Sequence, residues 1–171
     1  MADVKVLKRG GVYITPAKHS HIDMIERHLS PESIEELAIL GYEVRDAMEV
    51  MLETSQSFAI MKDDGTFLGV AGLQHFGDHP QMFGMFSNAV KDNYVALARG
   101  SRMLLQMFEA QEETIVMAIL SKHEAMVQWA AWLGFNVSGV YEDNGHEYVQ
   151  FVRCRCPSCC VATESRRPAM H

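Results

Sequence analysis

The stretch SKHEAMVQWAAWLGFNV, residues 121–137, decides the fold. Its middle has no proline or internal glycine, and Gly134 closes it, so the pattern predicts a helix over 122–133 that stops there. Immediately before it, TIVMAIL (114–120) is a short continuous apolar run, which predicts a strand buried on both faces. Immediately after it, FNVSGVYEDNGHEYVQFVR (135–153) holds two alternating runs around Asp-Asn-Gly, the signal of a tight hairpin. Strand, helix and antiparallel hairpin therefore follow one another without a break.

Upstream, GVYITPA (11–17) reads as a strand ended by Pro16, and Val4–Val6 as an edge strand. Ile22, Ile25 and Leu29 recur at helical spacing between residues 18 and 29. SPESIEELAILG (30–41) carries Ser30 as N-cap, Pro31 in the first turn, Glu32 near the positive end and Gly41 past the last turn. A third helical pattern runs from Val44 to Leu52. SFAIMKDDGTFLGVAGLQHF (57–76) is two apolar strands around Asp-Asp-Gly-Thr, MFGMFSNAV (82–90) a further strand, and residues 91–109 a helix with Leu97, Leu105 and Phe108 on one face. The order predicts one mixed α/β (α+β) domain over 1–153 with a mostly antiparallel sheet flanked by helices. Residues 154–171, rich in Cys, Ser, Pro and Arg and without periodicity, read as a flexible C-terminal tail.

Composition narrows the function. At 171 residues the chain is one domain's worth, and 48% apolar with 22% charged residues is a globular balance. A net charge of -7 with no basic stripe gives a nucleic-acid backbone little to hold. No run approaches the ~20 apolar residues of a membrane span, and MADVKVLKRGG lacks the apolar core of a signal peptide, so a cytoplasmic protein is expected. Twelve methionines point first to core packing and second to adaptable contact surfaces.

The element order, with the final helix, LGF and hairpin, resembles the GNAT acetyltransferase fold over roughly residues 11–153. A closer resemblance is to the acetyltransferase-like proteins of short-tailed lytic phages. It is carried by ESIEELAILGYEVRDAMEVMLETS (32–55), the segment after it, and MVQWAAWLGFNV (126–137). That resemblance implies an internal virion or morphogenesis protein that keeps the scaffold, has lost catalysis and acts by binding other virion proteins, in the host cytoplasm during assembly and then in the virion. The broader one implies an acetyl-CoA-dependent N-acetyltransferase, with the cofactor between two splayed parallel strands, here 82–90 and 114–120.

Two departures from the enzymes stand in the sequence. The family's pyrophosphate loop places Gln or Arg, two free residues and Gly-x-Gly or Gly-x-Ala at a helix start, so that backbone N–H groups close on the phosphates. Here KDNYVALARGSRMLL (91–105) has a single glycine, Gly100, inside the helical pattern, and Arg99 where a glycine belongs. If the cofactor binds, Ser87 and Asn88 at the strand end and Lys91, Arg99 and Arg102 by side-chain charge are the residues to hold it; for the three bases a solvated helix face is the plainer reading. Active members also carry an Asn after the fifth strand and, seven residues on, a Tyr that protonates the departing thiolate; these positions are His123 and Ala130. Ala130 has no proton to give. His123 is the remaining catalytic candidate, against a surface or capping role. Trp129 and Trp132 beside it read as packing residues.

For a base, His75, Glu49 and Glu53 are the nearest candidates. His75, Asp78 and His79 form no recognised metal spacing and read as a polar hairpin connection. Cys154, Cys156, Cys159 and Cys160 are the more serious metal ligands, but a single CxCxxCC cluster lacks the second pair of a structural zinc site, so thiols or disulfides formed on oxidation are expected.

Overall fold

The computed structural model describes residues 7–156. Eight strands and five α-helices follow in the order β1 (Leu7–Arg9), β2 (Val12–Pro16), α1 (Ile22–His28), α2 (Pro31–Ile39), α3 (Val44–Thr54), β3 (Ser55–Lys62), β4 (Phe67–Phe76), β5 (His79–Phe86), α4 (Tyr94–Glu109), β6 (Thr114–Leu120), α5 (Glu124–Trp132), β7 (Asn136–Asp143) and β8 (His146–Cys154). The strands lie in one sheet in the order β1-β2-β3-β4-β5-β6-β8-β7, antiparallel throughout except between β5 and β6.

Local chemistry sets the boundaries. In α5 the Gly134 amide donates to the Ala131 carbonyl and the Phe135 amide to Ala130, with Gly134 at φ +88°. That is the paired C-terminal bonding in which a left-handed glycine ends a helix. Arg153 braces the same turn, its Nη1 donating to the Leu133 carbonyl at 2.7 Å. In the last hairpin Asn144 and Gly145 both take positive φ, the requirement of a two-residue turn matched to strand twist. Ser30 caps α2, its Oγ accepting from the Ser33 amide. The β3–β4 turn is held by the Asp64 carboxylate, which accepts from the Thr66 amide at 2.9 Å.

The middle of the sheet is buried on both faces. Along β3, Phe58 and Ile60 join the core under α4 and α5, while Ala59 and Met61 join the core under α1, α2 and α3. This two-sided burial is why β3 reads as an unbroken apolar run. Gly100 lets α4 lie close on the sheet: a Cβ there would meet Ile60 Cγ2 at 2.5 Å.

Several expectations need correction. The strand expected at 82–90 begins at His79 and ends at Phe86; Ser87 then caps a 3-10 turn over Asn88–Asp92, accepting from the Ala89 amide and donating to the Phe67 carbonyl. Lys91 therefore lies in that turn, before α4, which starts at Tyr94. A 3-10 turn at His19–His21 likewise delays α1 to Ile22. The polar hairpin connection expected at 75–80 is tighter than its length suggests, a two-residue turn at Gly77 and Asp78 with His75 paired to Pro80 and Phe76 to His79. In β6 Ile115, Met117 and Ile119 on one face are buried, while Thr114, Val116 and Ala118 on the other are only partly buried. Strand β8 runs through Cys154, one residue past the expected domain boundary. The edge strand expected at Val4–Val6, and Cys159 and Cys160, lie outside the described residues.

Candidate functional site

The parallel strands β5 and β6 share one registered pair, Gln81 with Val116, near their starts. Toward their C-terminal ends, Phe86 and Leu120, they part. A cavity of about 400 Å³ opens at this break, lined by methionines from both strands and Phe83 of β5, by α2 and α3, and by the β7–β8 hairpin. Its volume is that of a small-molecule pocket or a side-chain socket.

Helix α2 crosses the opening. Its first turn is pinned to the end of β5: the Ser30 amide donates to the Phe86 carbonyl at 2.8 Å, and the Phe86 amide donates to Ser33 Oγ at 3.1 Å. Its middle turn reaches the loop after β6. Glu36 Oε1 lies 3.2 Å from His123 Nδ1, Glu35 Oε2 lies 3.2 Å from His123 Nε2, and Glu35 also pairs with Lys122. The His123 side chain is 7% exposed. His123 is the N-cap residue of α5, and its side chain makes no cap hydrogen bond there.

Proton counting constrains this cluster. Carboxylates only accept, and a neutral imidazole has one N–H and one bare nitrogen. Two nitrogen–carboxylate contacts therefore require two protons: an imidazolium between two carboxylates, or a neutral ring with one protonated carboxyl. Burial pushes the Glu36 carboxyl above its ordinary value, with His123 and the Leu120 amide pulling the other way. The hydrogen bond from Lys122, then that from His123, holds Glu35 below it. Tyr148, stacked on Tyr141 at 5.4 Å, is raised by burial and then by Glu36 and Asp143.

The other expected site residues disperse. Lys91 and Arg99 border a shallow hollow of about 490 Å³ beside the start of α4. Arg99 spends its guanidinium on the Gly10 carbonyl at 2.5 Å. Arg102 goes elsewhere, stacking over Trp132 at 4.0 Å. Ser87 is buried in the turn hydrogen bonds described above, and Asn88 Nδ2 reaches the Leu29 carbonyl at 3.5 Å. Trp129 packs edge-on against Phe86 at 5.2 Å and donates to Ser101 Oγ, while Ala130 is fully buried in the core. His75 pairs with Glu112 on the surface, and Glu49 and Glu53 are exposed on α3 away from the cavity lining. Among the described residues no cluster of three or more His, Cys, Asp or Glu could hold a metal, and no helix is long and apolar enough to cross a membrane.

Sequence reasoning missed Glu35, Glu36, Asp143 and the tyrosine pair. Glu36 was within reach: it falls three residues after Ser33 and beside Leu37, the two buried positions of α2, so helical spacing puts a carboxylate on the inward face.

The fit to coenzyme A can be tested on α4. The segment that would carry the family's glycine loop is helical from Tyr94, its amides bonded within the helix from Leu97 onward, and Gly100 faces Ile60 instead of a ligand. A pyrophosphate cradle built on glycines is therefore missing from this segment. Lys91 and the first-turn amides of α4 are the anion donors left there.

A mostly antiparallel eight-stranded sheet, parted between two parallel strands and flanked by five helices, is the GNAT acetyltransferase fold. A protein assigned to the GnaT acetyltransferase family from Bordetella pertussis is 18% identical, with a TM-score of 0.67 over 88% of this chain and 99% of that one. An assigned acetyltransferase from T. thermophilus is 17% identical, with a TM-score of 0.71 over 91% and 92%. The RimL ribosomal L7/L12 alpha-N-protein acetyltransferase, solved with coenzyme A, is 11% identical, with a TM-score of 0.66 over 88% and 98%. At these identities the likeness is one of fold. No protein-family model and no curated protein matches the sequence.

Proposed function

We propose that this chain is an internal virion or morphogenesis protein of a short-tailed lytic phage, using the acetyltransferase fold as a scaffold and acting by binding other virion proteins. The observation that carries the loss of catalysis is α4: a helix whose lone glycine packs on Ile60 stands where the glycine-built cofactor loop would be. The buried Ala130 in place of the tyrosine acid supports it. The phage assignment rests on the resemblance of residues 32–55 and 126–137 to that group. Its places of action are the host cytoplasm during assembly and then the particle. The test is mass spectrometry of purified particles and assembly intermediates from infected cells. The protein is expected at a fixed copy number in one of them; its absence from both would overturn the reading.

A second reading, an acetyl-CoA-dependent N-acetyltransferase, is favoured by the open cavity and the Glu36–His123 proton pair beside it. In that reading His123 handles the proton, and of the residues expected to meet the cofactor Lys91 and Arg99 share one hollow, Asn88 lies in the turn before it, and Ser87 and Arg102 are engaged elsewhere. It requires acetyl-CoA turnover with an amine that falls on His123→Ala, general acid–base groups typically contributing ~10²–10⁴-fold.

A further inference from the structure

We infer that α2 is a strap across the parted ends of β5 and β6, and that the Glu35–His123–Glu36 cluster is its proton-dependent catch. One end of the strap is fixed by groups that do not titrate: Ser30, Ser33 and the Phe86 backbone. The other end holds through His123, Glu35, Glu36 and Lys122, which join α2 to the β6–α5 loop. Behind the strap lies the cavity.

The catch depends on its second proton. With two protons shared among the ring and the two carboxylates, both 3.2 Å contacts are hydrogen bonds. Removing one leaves a bare ring nitrogen facing a carboxylate oxygen, two acceptors in contact, and adds a negative charge to a partly buried site. A tie with an unpaired buried acceptor loses its hydrogen bond and carries a desolvation cost as well. Rising pH therefore breaks the His123 ties to the middle of α2, leaving there the exposed Lys122–Glu35 pair, which contributes little, while the first turn stays on β5 and acts as the hinge.

The charges around His123 set the direction. Glu35 and Glu36 face it from α2, and Lys122 lies beside it on its own loop. Glu124, next along the chain, is exposed. From the sheet, Tyr148 stands opposite Leu120 in the field of Glu36, with Asp143 and Tyr141 behind it. One cation among these carboxylates cannot replace the lost proton, so the released state is the high-pH state.

This inference goes beyond the proposed function and holds whether the cavity receives a partner or a substrate; its failure would leave that function standing. The test uses the full chain carrying Trp132→Phe, which leaves Trp129, a residue of the cavity wall, as the single tryptophan. Acrylamide quenching of Trp129 is measured from pH 5.5 to 9 beside the NMR titration of the His123 ring. Quenching is expected to rise at least three-fold with the same midpoint as His123, and the step is expected to vanish in His123→Gln. Should that variant fail to fold, Glu35→Gln serves: its amide can donate to a neutral ring nitrogen, so most of the step is lost. A flat profile, a midpoint apart from that of His123, or an undiminished step in the variant that folds would overturn the inference.

Discussion

Replacing Gly134 by alanine tests the turn that ends α5 and with it the stretch from which the fold was read. The glycine holds φ +88°, where a side chain costs about 1–2 kcal/mol. The new Cβ would also run into Arg153 Nη1, the far end of a flexible side chain, which must shift and so weaken or lose its bond to the Leu133 carbonyl. A hydrogen bond from a charged donor contributes ~1.5–3 kcal/mol when buried. The Arg153 side chain is 30% exposed, so the lower end applies. Together these predict a loss of about 2–4 kcal/mol, or a melting temperature lower by roughly 4–16 °C for a chain of this size. Urea unfolding read by circular dichroism measures it, with Gly139→Ala as control, since a Cβ at Gly139 meets nothing within 4 Å. In an Arg153→Ala background the same substitution should cost about 1–2 kcal/mol, the backbone part alone. A Gly134→Ala protein within about 0.5 kcal/mol of the parent, or an equal cost in both backgrounds, would refute the reasoning.

Three further outcomes follow from the same geometry. Gly100→Ala gains about 1 kcal/mol of helix propensity but pushes a methyl into Ile60, a fully buried and stiff β-branched residue; crowding costs about 1–3 kcal/mol, so chemical denaturation should show a net loss. The Glu36 carboxyl is raised in the folded chain, so the folded state holds that proton more tightly than the unfolded one. Its stabilisation is complete below the ordinary value of 4.5 and is lost as pH rises through the folded value; the stability of the parent relative to Glu36→Gln should therefore fall from pH 4 to pH 7. Asp64, held by hydrogen bonds from Thr66, should titrate at about 2 by NMR, and the stability it lends, present above its ordinary 3.8, should fade as pH drops toward that value.

What the sequence disclosed was local. Gly134, the Asn144–Gly145 pair and Ser30 act within four or five residues, and their backbone requirements show in residue type alone. The stop of β5 at Phe86 was less visible, because the apolar run continues to Val90 and Ser87's bond to the Phe67 carbonyl crosses 20 residues. The site was least legible. His123 stood out in its helix, but its partners Glu35 and Glu36 lie 88 and 87 residues away, and the strand separation that makes the cavity is a property of the assembled sheet. Arg99 and Arg102, three residues apart, read as one basic patch; packing sends one to Gly10 and the other to Trp132.

If the fold persists without the glycine-built cofactor loop, calorimetric titration of the purified protein with acetyl-CoA should give no saturable heat up to about 1 mM ligand, a binding free energy weaker than ~4 kcal/mol. Micromolar binding that disappears in the Lys91→Ala, Arg99→Ala, Arg102→Ala triple variant would contradict it and put an anion site at the start of α4.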